Sequence, residues 1–133
     1  MIYLTKDDIL SINKELVLSY GGIYYNGVNN LKNENSFEFL LTAQNQNIFG
    51  IESYPNIFDK AATYAFYIIK DHIFCDGNKR TAMMAAFTFL DINGIEINEM
   101  TRTKRIVNYA EKIAGCKPKI GQISKWLKRI SII

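Results

Sequence analysis

The chain has 133 residues, the usual length of one domain, which is enough to bury a hydrophobic core without disulfides or a structural metal. Its composition, 48% hydrophobic and 22% charged, is that of an ordinary globular protein, so we expect a single domain over residues 1–133. The formal net charge of +3 is too small to indicate a nucleic-acid-binding protein by itself. The two cysteines, Cys75 and Cys116, have neither the number nor the spacing of a disulfide framework or a zinc site, and we expect free thiols.

No segment has the pattern of a signal peptide or a membrane span. The N-terminal segment MIYLTKDDIL lacks a basic region followed by an apolar run. The longest apolar segments, YAFYII and AMMAAFTFL, are much shorter than the roughly 20 residues that a transmembrane helix needs. We therefore expect a cytoplasmic protein with no membrane partner.

The first part of the chain predicts a helix, a loop and a second, shorter helix. Thr5 and Asp8 form a variant of the capping box, which marks the start of the first helix. Apolar residues then follow at helical spacing, namely Ile9, Ile12, Leu16 and Tyr20. The segment NGVNNLKNENS, rich in asparagine and glycine, is typical of a loop. The next segment, SFEFLLTAQN, predicts the short helix.

The middle of the chain predicts a hairpin and two buried helices. In NIFGIESYP, β-branched and aromatic residues surround a glycine, which favours an extended flap or hairpin. The predicted helices Pro55 to Asp71 and Asn78 to Ile92 are apolar around almost their whole circumference, as is typical of helices buried on all sides. Pro55 suits a first helical turn, and Asn93 and Gly94 suit a helix end. We expect these two helices to form the core.

The C-terminal third predicts two amphipathic helices, in NEMTRTKRIVNYAEKIA and GQISKWLKRI. The expected apolar faces are Ile106, Val107, Ala110 and Ile113 on the first, and Ile123, Trp126, Leu127 and Ile130 on the second. From Thr101 onward there are nine basic residues and one acid, Glu111. This asymmetry permits an acidic partner or RNA, and it also fits a solvated helical face. The expected fold class is a compact all-α bundle with a possible small β-hairpin.

The segment HIFCDGNKRTA, residues 72–82, contains the only histidine of the chain and joins the two central helices. A helix begins here, and its first turn leaves unpaired N–H groups that favour an anion. Gly77 would let a phosphate approach the backbone, and Lys79 and Arg80 would add positive charge. Asp76 fits such a site if it holds a magnesium ion that bridges phosphates. His72 is the side chain suited to accept a proton near neutral pH.

These groups are the ones needed to transfer a phosphorus group from a nucleotide to a hydroxyl. Each also has an ordinary structural interpretation. A lone histidine is commonly a packed or surface residue, Asp-Gly is a common turn, and the cations can belong to a solvated helix start. The residue pattern alone leaves both interpretations open.

The same segment resembles the signature of the Fic/Doc superfamily. The Fic branch reads H-P-F-x-[D/E]-G-N-G-R-x-x-R, and the Doc (death-on-curing) branch reads H-x-F-x-[D/N]-[A/G]-N-K-R. Similar segments of Doc-like chains match LTKDDIL, YGG, NIFDKAA and FLDINGI, so the resemblance covers most of the chain. It implies that His72 is the general base and that Asp76 is the ligand of a magnesium ion. It further implies a nucleotide site for ATP, formed by Gly77, Asn78, Lys79 and Arg80.

Two departures from the Fic pattern favour the Doc branch. Lys79 stands where Fic enzymes have a second glycine, and Met83 stands where they have a final arginine. The resemblance then implies an ATP-dependent phosphotransferase toxin that modifies a protein hydroxyl, such as a threonine of elongation factor Tu, and so arrests translation. AMP transfer is the alternative within enzymes. A non-catalytic binding module remains open, and RNA binding is disfavoured because Trp126 has the spacing of a core residue.

The resemblance also implies partners. Doc toxins are neutralised by a Phd-like antitoxin, whose disordered tail folds onto the toxin. Some Fic proteins instead carry an inhibitory helix with the pattern [S/T]-x-x-x-E-[G/N]. The nearest match here, SINKEL at Ser11 to Leu16, ends in leucine, so we expect inhibition by a separate chain. The predicted hairpin would hold the target segment by strand addition, as the matching flap does in the family.

Overall fold

The computed structural model describes residues 1–24, 30–43, 47–98 and 104–132, without the side chains of residues 47–48 and 104–107. The elements of this part are α1 (Lys6–Ser19), α2 (Glu34–Ala43), β1 (Asn47–Ile48), β2 (Ile51–Glu52), α3 (Ile57–Lys70), α4 (Asn78–Ile92), β3 (Glu96–Ile97), α5 (Lys104–Cys116), α6 (Ile120–Ile130) and β4 (Ser131–Ile132). The helices dominate, which confirms the predicted all-α class with a small hairpin.

Helices α3 and α4 pack against each other at the centre of the protein, as predicted. The observed start of α4 at Asn78 agrees with the sequence pattern. The predicted start of α3 at Pro55 is wrong, because Asn56 caps this helix by accepting a hydrogen bond from the Asp59 N–H. Burial is also incomplete on α4, where Met84 is exposed. These two helices fix the position of the loop between them.

Helix α1 starts at the predicted capping box, in which the Asp8 N–H donates to Thr5 Oγ1 and the Thr5 N–H donates to Asp8 Oδ2. Its buried face is rotated from the predicted one. Asn13 and Val17 are buried, whereas Tyr20 is 63% exposed. The rotation places a polar side chain, that of Asn13, in the core beneath the loop between α3 and α4.

The strands form two antiparallel pairs. β1 and β2 make the predicted hairpin, and Phe49 and Gly50 at its tip both have positive φ, as a type I′ turn requires. The second pair, β3 with β4, was not predicted, because two-residue strands leave no periodicity in a sequence. The predicted loop before α2 is non-helical at residues 30–33, while residues 25–29 lie outside the described part. Its predicted end at Ser36 is wrong, because α2 already begins at Glu34.

The two C-terminal helices cover α3 and α4. The predicted apolar face of α6 is buried, namely Ile123, Trp126, Leu127 and Ile130. Of the face predicted for α5, Ala110 and Ile113 are buried, and the side chains of residues 106 and 107 lie outside the described part.

Both cysteines are free and exposed, as expected. Among the described helices, none is long and apolar enough to cross a bilayer.

Candidate active site

A cleft of about 1270 Å³ opens where the end of α3, the start of α4 and the α5–α6 connection meet. All six predicted site residues line it, namely His72, Asp76, Gly77, Asn78, Lys79 and Arg80. They lie in the loop between the two central helices and in the first turn of α4, as the sequence predicts. Their chemical roles stay predictions.

The loop is held in place by its own apolar residues and by Asn78. Ile73 and Phe74 are buried and anchor the loop to the core. The Phe74 N–H donates to Asn78 Oδ1 at 2.9 Å, and Asn78 Nδ2 donates back to the Phe74 carbonyl at 2.8 Å. Because these bonds occupy the amide, the group that Asn78 can offer to an anion is its backbone N–H.

Gly77 is required by the turn itself. Its φ of +76° is left-handed, and a Cβ added here would lie 2.8 Å from Val17 Cγ2 of α1. The missing side chain therefore leaves room for α1, and the approach of a phosphate to this backbone stays a prediction. The first bond of α4 runs from the Thr81 N–H to the Gly77 carbonyl, so the three N–H groups before Thr81 have no acceptor within the helix.

A buried polar network lies beneath this turn. Asn13 Nδ2 donates to the Asp76 carbonyl at 2.9 Å and to Thr81 Oγ1 at 3.0 Å, and Asn30 Nδ2 lies 3.4 Å from Asn13 Oδ1. All three network side chains, those of Asn13, Asn30 and Thr81, are fully buried. Sequence reasoning missed Asn13, although its spacing of four residues from Ile9 and from Val17 places it on the buried face of α1.

His72 has an exposed imidazole on a strained backbone. Its φ of +45° is uncommon for a residue with a side chain, although histidine is one of the types that tolerate it best. Asn33 stabilises this conformation, because its Nδ2 donates to the carbonyls of both Asp71 and His72. Strain of this kind clusters at functional sites. Asn33 thus caps the end of α3 and fixes the peptide that carries the imidazole.

The Asp76 carboxylate is oriented by backbone donors. Its Oδ2 accepts from the Ile23 N–H at 2.9 Å, and its Oδ1 accepts from the Gly77 N–H at 2.8 Å. A Cβ on Gly22 would lie 2.6 Å from Oδ2, so the chain approaches closely enough only because this residue is glycine. Each oxygen accepts one of these bonds and so keeps a further lone pair, and Asp76 lines the cleft. One carboxylate of this kind fits magnesium that is bound mainly by phosphates.

The cations at the start of α4 are engaged by other side chains. Lys79 Nζ lies 2.9 Å from Glu111 Oε2 on α5, and both side chains are about half exposed. The guanidinium of Arg80 lies 4.1 Å from the centre of the Tyr20 ring. In the sequence Glu111 is only the single acid of a basic segment. Its contact with Lys79, 32 positions earlier, has no local signal that would predict it.

Aromatic residues form another side of the cleft. Tyr67 lines it beside Phe66, and the hydroxyls of Tyr54 and Tyr67 lie 3.4 Å apart. Burial is the main cause that raises the pKa of the Tyr67 phenol well above its usual value, and this hydrogen bond raises it further. Tyr67 therefore contributes a neutral hydroxyl.

Comparison with known proteins agrees with the motif. The Fic/DOC family matches residues 3–90, which is more than half of the chain. The chain belongs to the Fic/Doc family. It is 34% identical over 86 residues to "Toxin Doc" of Mycolicibacterium smegmatis, a match covering 65% of this chain and 66% of that protein. It is 41% identical over 46 residues to "Protein kinase doc" of Escherichia phage P1, a match covering 35% of this chain and 36% of that protein.

The chain thus spans just under two thirds of the first relative and about one third of the second. Both relatives carry the Doc name, which places the chain in the Doc branch of the Fic/Doc family. The family's final arginine corresponds here to Met83, which is 1% exposed and packs in the core. In this Fic/Doc chain that position faces away from the cleft.

Proposed function

We propose that the chain is a Doc-type toxin that transfers the γ-phosphoryl group of ATP to a protein hydroxyl. The observation that carries this proposal is that His72 and the residues at the start of α4 line the same cleft. A base and an anion site in one cleft can act on the two reactants of such a transfer together.

In the proposed reaction, His72 accepts the proton of the target hydroxyl, whose oxygen then attacks the γ-phosphorus while ADP leaves. The unpaired N–H groups at the start of α4 stabilise the negative charge on the transferred group, together with Lys79 and Arg80. Asp76 would hold a magnesium ion, which would neutralise charge on the phosphates when bound. Doc kinase activity in the phage relative's name supports phosphate over AMP as the transferred group.

We further propose that the target segment binds beside the β1–β2 hairpin. Phe49 and Ile51 of this hairpin are 99% and 73% exposed, and a two-stranded ribbon has a free edge for strand addition. The proposed target is a threonine of elongation factor Tu, and the proposed consequence is arrest of translation in the cytoplasm.

The experiment that tests this function is mass spectrometry of a cell lysate treated with the chain, ATP and magnesium. We expect one protein to gain a phosphate at a hydroxyl residue. A gain of AMP would instead support the alternative enzyme activity, and no gain would support a binding module. The His72→Asn chain provides the matched control.

A Phd-like antitoxin is the proposed partner, supported by the toxin name of the mycobacterial relative. An acidic segment of the antitoxin would fit the cationic C-terminal third, where Lys112, Lys125, Lys128 and Arg129 are exposed. We expect expression of this chain alone to slow growth and co-expression of its antitoxin to restore it. Unimpaired growth with a chain that is active in the lysate assay would contradict this prediction.

Asn33→Ala is expected to lower the rate of transfer by roughly 10- to 100-fold, because it releases the peptide that positions the imidazole. Nucleotide affinity should remain close to that of the unmodified chain, since Asn33 contacts the His72 end of the loop. The measurements are single-turnover transfer rates, ATP affinity and thermal unfolding.

Asn93→Ala is the matched control for this variant. Asn93 Nδ2 also donates to two backbone carbonyls, those of Ile2 and Phe89, and its Oδ1 accepts from the Ile2 N–H, at the far end of α4. Both variants should lose on the order of 1–3 kcal/mol, and Asn93→Ala should lose at least as much as Asn33→Ala. An equal loss of rate in both would show that Asn33 acts only through stability.

A further inference from the structure

The cleft has a surplus of positive charge. Among the residues that the structure describes, five cations line it, namely Lys70, Lys79, Arg80, Lys117 and Lys119, against the two carboxylates of Asp76 and Glu111. A cleft lined mainly by one sign of charge concentrates the field on an ionic ligand of the opposite sign.

These cations lie on two walls. At the start of α4, Lys79 pairs with Glu111 and Arg80 lies over Tyr20. The opposite wall is formed by the α5–α6 connection, with Lys117 and Lys119. In the part of the chain that the structure describes, neither of these two lysines has a carboxylate within salt-bridge distance. Their charge is available to a ligand in the cleft.

The backbone of this second wall is defined by local contacts. Pro118 is buried between the two exposed lysines, and the Lys119 N–H donates to Gln122 Oε1 at 2.8 Å. Lys117 has a left-handed φ of +50°. These contacts define the backbone from which the two lysine side chains extend.

Both walls border the same cleft, so a chain of linked phosphates within it can meet cations on two sides. Glu111 of α5 contacts Lys79 on the first wall. A single phosphate can engage one of the two walls, whereas a polyphosphate has several phosphates to offer to both.

We propose that Lys117 and Lys119 form a second anion subsite, which binds one end of the polyphosphate chain of a nucleotide while the start of α4 binds the other. This inference rests on the proposed function, because that function supplies the nucleoside triphosphate as ligand. AMP has one phosphate and can occupy only one of the two sites, so its binding depends less on the two lysines than that of ATP does.

The test compares binding of ATP, inorganic triphosphate and AMP to the full chain by calorimetry. The variant is Lys117→Gln with Lys119→Gln, and the control is Lys112→Gln with Lys125→Gln, which removes the same charge from exposed residues outside the cleft. We expect the variant to bind ATP and triphosphate roughly tenfold more weakly. AMP affinity should change less than about twofold, and the difference should shrink at about 1 M salt.

Two results would overturn the subsite: an ATP affinity equal to that of the control variant, or equal weakening for AMP and ATP.

The lysate assay distinguishes this failure from that of the proposed function. If the unmodified chain phosphorylates a protein while the variant binds ATP as the control does, the subsite fails and the function stands. If triphosphate binding depends on the two lysines while no protein is modified, the subsite stands and the function fails. An unmodified chain that binds neither ATP nor triphosphate would overturn both.

Discussion

His72→Ala is expected to lower the rate of phosphate transfer by roughly 10²- to 10⁴-fold, the typical effect of removing a general base. Nucleotide affinity should stay near that of the unmodified chain, because a base acts on the incoming hydroxyl and not on the phosphates. The imidazole is exposed, so its loss leaves no cavity in the core. The measurements are single-turnover transfer and ATP binding under the same conditions.

The structure also predicts a side effect of this substitution and the variant that avoids it. His72 has a φ of +45°, and alanine tolerates left-handed backbone less well than histidine or asparagine. His72→Ala should therefore lose on the order of 1 kcal/mol of stability, whereas His72→Asn should keep most of it. Both variants should lose transfer equally. Transfer at the unmodified rate in either one would refute the role of His72.

Asp76→Asn distinguishes the proposed role of Asp76 as a magnesium ligand from the proposed role of His72 as the general base. Asparagine can keep one of the backbone bonds that Asp76 accepts from Ile23 and Gly77, but it removes the negative charge. Its defect should therefore appear as a higher magnesium requirement, which His72→Asn should not show. Equal magnesium dependence in the two variants would argue against Asp76 as the metal ligand.

The part of the site that the sequence predicted is the part that is local in the chain. The loop between α3 and α4 is short, and Gly77 and Asn78 fix its turn through contacts within a few residues. Helix caps are equally local, which is why the start of α1 was predicted correctly. The start of α3 was misplaced, because Pro55 and the capping Asn56 are adjacent and both suit a helix start.

The residues that support the site depend on contacts between distant segments. Asn13 reaches Asp76 across 63 positions, and Asn33 reaches His72 across 39. An asparagine on an amphipathic helix or in an asparagine-rich loop has no local feature that reveals such a partner. The same holds for Glu111 and for the two lysines of the α5–α6 wall, which reach the cleft only when α5 packs on α4.

The expectation of phosphate rather than AMP transfer depends on Lys79 and Met83. We propose that a lysine at position 79 fills space that a glycine would leave open for inner phosphates, which would favour a nucleotide with its γ-phosphate near His72. Met83 stands in place of the arginine that would hold the γ-phosphate at the far end, and its side chain is buried in the core. In the structure Lys79 Nζ contacts Glu111 Oε2.

Label in the γ position of ATP is expected to appear on the target protein, and label in the α position is not. Lys79→Gly should admit some AMP transfer, but it also leaves the Glu111 carboxylate in the cleft without its cation, where it repels phosphates. The sharper variant is therefore Lys79→Gly with Glu111→Gln, which opens the space without adding repulsion. We expect this double variant to transfer more AMP than Lys79→Gly, and Glu111→Gln alone to keep γ transfer. Label from the α position delivered by the unmodified chain would reverse the assignment, since it would mean that Lys79 does not set which phosphorus atom faces His72.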